Sequence, residues 1–207
     1  MALSLLRGVE LVAQGGIVVY PTETLWGVGG AALDPRAYAR VLAAKGIREP
    51  RPVPVLASGK EIVSEYVLPV PGLNVLVERF WPGGLTLVLP PSSRHLEHLL
   101  GAGGGIALRV SAHPVAQALA VAAGGLLLST SANLTGQPPP QRLEEVAPEL
   151  LAGTDGAVEW AGSGAGVPST LLIYDAAWRV GRIGSVPIAA LRSALAEAGE
   201  ALLGEGQ

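Results

Sequence analysis

Between Ile17 and Lys45 the chain runs from a short apolar segment into a polar, glycine-rich stretch and then into a basic one. No other feature constrains the fold as much. Ile17-Val18-Val19-Tyr20 is β-branched and aromatic, which reads as a buried strand. Pro21 has no N–H to continue a ladder, so Pro21-Thr22-Glu23-Thr24-Leu25-Trp26-Gly27-Val28-Gly29-Gly30 is expected to be a turn. Asp34-Pro35 supplies an N-cap and a proline at N1 for a helix through Ala44. Open α/β sheets bind ligands in the crevice beyond the strand carboxyl ends, which is where this polar turn would sit.

The rest of the chain repeats the alternation. Leu3 to Gln14 has helical apolar spacing and stops at Gly15-Gly16, a suitable C-cap. Strands are predicted at 53–57, 85–89, 106–110 and 126–130, with helices at 60–67, 72–80 and 113–123. Residues 170–174 and 178–182 read as a hairpin, and 187–198 as a closing helix. This pattern predicts a single α/β domain over residues 1–207, built on a twisted, mixed or partly parallel sheet with flanking helices. At 207 residues such a domain can bury most of the surface that its unfolded chain exposes.

Composition removes several chemistries. With no Cys, disulfide scaffolds, thiolate zinc sites and cysteine nucleophiles are excluded, and an intracellular, cytoplasmic setting is expected. The N-terminus has no basic segment before an apolar one. The longest apolar stretch, 115–128, is interrupted by Gln117 and Gly124-Gly125, so neither a signal peptide nor a membrane span is expected. A net charge of -3 argues against nonspecific coating of nucleic acid. Basic charge is nevertheless concentrated locally. Arg36, Arg40, Lys45, Arg48 and Arg51 face the single acid Glu49, a balance of +4 beside the opening motif.

Three further groupings bear on chemistry. Ser129-Thr130-Ser131-Ala132-Asn133 places three hydroxyls and an amide after Leu126-Leu127-Leu128, and Ser169-Thr170 follows a glycine-rich loop. Such strand ends either donate to phosphate or carboxylate oxygens or cap their own backbone. Arg109 interrupts an apolar strand, where a charge needs a partner or a ligand unless it faces outward. His95 and His98 have an i, i+3 spacing but no third ligand nearby, so a surface helix is expected and no metal site. Gly27-Val28-Gly29-Gly30 lacks the spacing of a dinucleotide fingerprint. Hydroxyls, an amide and cations without an obvious nucleophile suit phosphate chemistry by positioning and charge neutralisation.

These residues resemble a known family. Val18 through Gly27, Lys45-Gly46, Trp81-Pro82-Gly83-Gly84-Leu85-Thr86-Leu87-Val88-Leu89, Ala107 through Val110, Ser131 through Gly136 and Pro168-Ser169-Thr170 are similar, in order, to the signatures of the YrdC-like domain of the L-threonylcarbamoyladenylate synthases. The resemblance runs from about Leu6 to Val186. It implies a YrdC/RibB-like fold with a large concave, positively lined cleft. It also implies a reaction in which L-threonine, bicarbonate and ATP give threonylcarbamoyl-AMP and pyrophosphate, for tRNA modification beside the anticodon.

By motif, the resemblance implies L-threonine contacts for Thr22, Thr24, Ser129 and Ser169, with Arg109 pairing the carboxylate. Lys45, Arg48, Ser131 and Asn133 would form the catalytic set and hold ATP together with Arg51 and Arg182, with Mg²⁺ expected on the nucleotide. One departure stands out. The family pattern is Lys-x-Arg, whereas here Ile47 holds the arginine position and Arg48 follows it, so either Arg48 or Arg51 would fill the role. The alternative is a non-catalytic paralogue that binds double-stranded RNA, tRNA or the ribosome. A role in carbamoyl transfer is a third reading, disfavoured by the lack of zinc-finger cysteines.

Overall fold

Ser4 decides where the first helix begins. In the computed structural model, which describes residues 2–92, 94–101, 103–162 and 164–204 (without the side chains of Arg94 and His95), the Ser4 hydroxyl accepts from the Arg7 N–H at 3.2 Å. Helix α1 therefore spans Leu5–Ala13. Leu3, expected inside that helix, lies instead in a two-residue strand, β1 (Ala2–Leu3). Gly15, at φ +84°, follows the helix in the left-handed conformation that a C-terminal glycine allows.

Half of the stretch expected to be one long turn is strand. β2 (Val18–Pro21) and β3 (Trp26–Gly29) form an antiparallel hairpin that pairs Val18 with Gly29 and Pro21 with Trp26. Pro21 takes the last position of its strand, where its missing N–H does least harm. Only Thr22 to Leu25 turn, closed by the Thr22 N–H donating to the Leu25 carbonyl at 3.2 Å.

Helix α2 (Pro35–Ala44) is capped by Asp34 as predicted, and β4 (Val55–Ala57) follows. The helix predicted over 60–67 is reduced to one turn, α3 (Val63–Tyr66). Helix α4 (Leu73–Phe80), strands β5 (Leu85–Leu89) and β6 (Ile106–Arg109), and helix α5 (Pro114–Ala122) fall close to their predicted positions. The predicted strand at 126–130 breaks at Ser129 into β7 (Leu126–Leu128) and β8 (Thr130–Ser131). After α6 (Pro148–Ala152) and β9 (Ala157–Val158), the predicted hairpin appears as β10 (Thr170–Tyr174) and β11 (Trp178–Arg182). Helix α7 (Ile188–Glu197) and β12 (Leu202–Leu203) close the described chain.

The strands form two mixed sheets where the sequence pattern predicts one. Their orders are β1-β9-β2-β3-β8 and β12-β11-β10-β5-β6-β4-β7. The sheets meet where β3 crosses β7. Leu128 N–H donates to the Gly30 carbonyl and Ala32 N–H to the Leu126 carbonyl, each at 2.8 Å. Burial on both faces explains why the strands at this junction read as unbroken apolar runs. Val19, Val55, Ala57, Leu126 and Leu128 point into the larger core, while Val18, Tyr20, Leu56 and Leu127 point into a second core with Val12 of α1 and Leu119 of α5. Among the described residues, no helix is long and apolar enough to cross a membrane.

Candidate active site

A cavity of about 320 Å³ opens between the two sheets. The β2–β3 turn contributes Thr22 and Thr24, and β8 contributes Ser131. The second sheet contributes Thr86, Arg109 and Arg182, with Ser169 just before β10 and Ser129 at the point where the chain passes from one sheet to the other. The volume is at the lower end of the roughly 300–1,000 Å³ usual for small-molecule sites. All five residues expected at the amino-acid end line this one cavity, although they are spread from position 22 to position 169.

The hydroxyl protons in the turn can be assigned by counting. Thr22 Oγ1 donates to the Leu25 carbonyl at 2.7 Å and accepts the N–H groups of Thr24 and Leu25, both at 3.2 Å. Its one proton is thus committed, and in its 2.9 Å contact with Thr24 Oγ1 the donor is Thr24. Thr24 Oγ1 also accepts from Arg109 Nη1 at 2.9 Å. Thr22 therefore shapes the turn, and Thr24 carries Arg109 toward the cavity.

Arg109 is 7% exposed and has a counter-ion that the motifs did not single out. Glu23 Oε1 lies 2.8 Å from Arg109 Nη2, but the N–H is not directed along the contact. The pair is an ion pair without a well-formed hydrogen bond. Burial pushes the Glu23 carboxyl up. The Arg109 charge, the Ser111 hydroxyl and the Glu23 and Ala112 backbone outweigh that effect and hold it below its ordinary value. Burial lowers Arg109 from its usual value despite the opposing pull of Glu23. A charged residue between two hydroxyls in a tight turn was the signal available in the sequence.

At the other wall, Arg182 donates from Nε and Nη2 to the Ser169 carbonyl at 3.1 and 2.9 Å, and from Nη2 to Ser169 Oγ at 3.1 Å. Ser169 Oγ is 2.7 Å from Thr86 Oγ1, a buried hydroxyl absent from the predicted set. Burial, and then the nearby Arg109 charge, lower the Arg182 pKa. Two cations thus share one cavity.

The residues expected at the nucleotide end are less gathered. Lys45, 2% exposed, donates from Nζ to the carbonyls of Ser131 and Asn133, the latter at 2.7 Å, and does not line the cavity. Its own carbonyl accepts from Thr135 N and Oγ1 at 3.4 and 3.3 Å, so one lysine straps the Ser131–Thr135 segment from both ends. Burial and the Arg51 charge lower the Lys45 pKa to about 8. Asn133 Nδ2 donates to the Leu134 and Gln137 carbonyls at 3.1 and 2.6 Å, which leaves its buried Oδ1 unpaired. Ile47 packs against the larger core, while Arg48 and Arg51 are exposed and stand outside the cavity lining.

The Gly27–Gly30 stretch forms strand and junction, not a phosphate loop. His98 is spent on structure, with Nε2 2.8 Å from the Ala32 carbonyl and its ring edge-on to Tyr38. The His95 side chain lies outside the described residues. Among the described residues, no three His, Cys, Asp or Glu side chains could hold a metal together, and no carboxylate lines the cavity. These residues do not form a protein cage for Mg²⁺.

A family model named for Sua5, YciO and YrdC and described as telomere recombination matches residues 10–184. The threonylcarbamoyl-AMP synthase of Xanthomonas euvesicatoria pv. vesicatoria is 41% identical over 166 residues, covering 76% of this chain and 86% of the relative. That of Halorhodospira halophila is 41% identical over 134 residues, covering 64% and 70%. Among solved structures, P. abyssi Sua5 complexed with L-threonine superposes with a TM-score of 0.84 at 27% identity, over 97% of this chain. The chain spans 60% of that Sua5 chain. E. coli YciO superposes with a TM-score of 0.78 at 26% identity, covering 89% of this chain and 90% of that one. On a match that runs through both sheets and every cavity-lining motif, the chain belongs to the Sua5/YciO/YrdC family.

Proposed function

We propose that the protein is a threonylcarbamoyl-AMP synthase, making threonylcarbamoyl-AMP and pyrophosphate from L-threonine, bicarbonate and ATP. The observation that carries this reading is the single cavity in which Thr24, Arg109, Ser129 and Ser169 meet, in a chain 41% identical to relatives bearing that name. Arg109 takes the threonine carboxylate, since a guanidinium binds a carboxylate through paired donors. Thr24 has its proton committed and offers the substrate a lone pair. The side-chain hydroxyl of the amino acid can donate to it.

The threonine nitrogen, as the free amine, adds to CO2 and releases a proton, or condenses with bicarbonate and releases water, to give N-carboxythreonine. The new carboxylate attacks the α-phosphorus of ATP, the bond to the β-phosphate oxygen breaks, and pyrophosphate leaves. Ser131 borders the nucleotide, held in place by Lys45. Arg182 and Lys45 offset the developing charge. Arg51, whose charge is felt at Lys45, replaces the arginine that Ile47 displaces. Mg²⁺ would enter with ATP rather than be held by the protein, since among the described residues no carboxylate lines the cavity. The product serves tRNA modification in the cytoplasm.

An RNA-binding module would need only the exposed basic segment around Arg48 and Arg51, and not the buried hydroxyls of the cavity. The deciding experiment measures pyrophosphate release from ATP and bicarbonate with and without L-threonine. Release that depends on threonine is expected; equal release with and without it rejects the synthase.

A further inference from the structure

Glu23 touches Arg109 but does not line the cavity, and among the described residues none that lines it is a carboxylate. Its carboxylate is tied down on the far side. The Ser111 hydroxyl donates to Oε2, and Ser111 Oγ in turn accepts the His113 N–H at 3.2 Å. The Ser111 carbonyl accepts from Gln117 Nε2 at 2.6 Å, which fixes this short segment to the start of α5. His113 caps that helix through Nδ1, which accepts the Val115 N–H at 3.2 Å, and its ring packs edge-on against Trp160. The Glu23 carbonyl accepts the Ala165 N–H at 3.0 Å, which anchors the turn from the opposite side. Arg109 is therefore gripped by two consecutive residues of one turn, Thr24 through Nη1 and Glu23 through Nη2.

We infer that Glu23, backed by Ser111, is a positioning residue that orients Arg109 and offsets its charge, so that the cavity selects an amino-acid carboxylate over a polyphosphate at that end. This rests on the synthase reading above. Two arginines with no carboxylate between them would form a doubly cationic pocket and draw phosphate groups to either. Glu23 removes about one unit of that charge at Arg109, while Arg182, on Ser169, has no ion-pair partner within 4 Å among the described residues. The cavity is thereby divided into a nearly neutral end that recognises by geometry and a cationic end that attracts by charge. Arg109 Nε and Nη2 are buried, and Nη2 faces Glu23 Oε1 at 2.8 Å, so Glu23 acts on the guanidinium from the side away from the cavity.

The test is calorimetric titration of the full chain with L-threonine and, separately, with ATP, on the wild type, Glu23→Gln and Ser111→Ala. Glu23→Gln keeps shape and removes charge. It is expected to weaken threonine binding about tenfold, because the loss of orientation at Arg109 outweighs the added pull of its unneutralised charge on the carboxylate, with ATP binding unchanged or tighter. Ser111→Ala, with Glu23 intact, should weaken threonine several-fold and leave ATP unchanged. A merely structural role would lower both affinities together, and that result overturns the inference. So does threonine binding within twofold of wild type in Glu23→Gln, or in Ser111→Ala if Glu23→Gln does not fold. Wild-type protein that binds no threonine overturns the synthase reading and this inference together; threonine-binding wild type with an equally binding Glu23→Gln overturns the inference alone.

Discussion

Lys45 holds one wall of the cavity without facing it. Its ammonium holds the carbonyls on either side of Ala132, and burial with the Arg51 charge brings its pKa from 10.5 to about 8. The folded state therefore binds this proton more weakly than the unfolded chain. Lys45 thus costs stability below about pH 8, and the cost is relieved as pH rises from there toward 10.5. The proposed role of Lys45 at the nucleotide has the opposite dependence. The ammonium goes from about nine-tenths charged at pH 7 to about one-tenth at pH 9, so ATP affinity is expected to fall several-fold over that range. Lys45→Arg, which stays charged, should flatten the profile. ATP titration at pH 7, 8 and 9 checks both; a flat wild-type profile refutes the assignment.

At the scale of elements, the decisive feature is the approach of β3 to β7. A Cβ on Gly29 would lie 1.7 Å from the Leu128 carbonyl oxygen, so only glycine allows the two sheets to meet there. Gly29→Ala is expected to destabilise the protein by about 3 kcal/mol or more, since backbone must move to admit the methyl. Urea unfolding at neutral pH measures it, and a loss under 1 kcal/mol would show that the junction yields easily. The same junction explains two misread boundaries. Residues 27–30 look like a loop because glycine is rare inside strands, and here it is demanded by a neighbouring backbone. Leu126–Thr130 looks like one strand because no glycine or proline marks the change of sheet at Ser129, where the apolar run ends.

For the whole molecule, the cavity takes its walls from both sheets, so a ligand filling it ties them together. L-threonine at about 100 times its dissociation constant should add about 2.7 kcal/mol. At about 2–4 °C per kcal/mol for a chain of this size, the melting temperature should rise by roughly 5–10 °C. Scanning calorimetry with L-threonine, and with D-threonine as the control, tests this. No shift with the L-isomer would mean that it does not bind the folded protein.

Local chemistry made much of the fold legible. The caps at Asp34 and Gly15, the strand at 85–89 and the β10–β11 hairpin depend on residues close in sequence, and the structure places them as expected. The hydroxyls and Arg109 were visible as residues out of keeping with apolar strands, and the ordered motifs identified the family. What remained hidden involves partners far apart in the chain. Glu23 meets Arg109 across 86 positions, and Lys45 reaches the Ser131 carbonyl across a similar span. The sequence alone thus determined the elements, the family and the candidate amino-acid-binding residues, because propensity, capping and motif are local. Only tertiary structure decided that there are two sheets, that Glu23 stands behind Arg109, and that Lys45 turns onto backbone. Buried charges and close backbone approaches are settled by whatever the rest of the fold brings within reach.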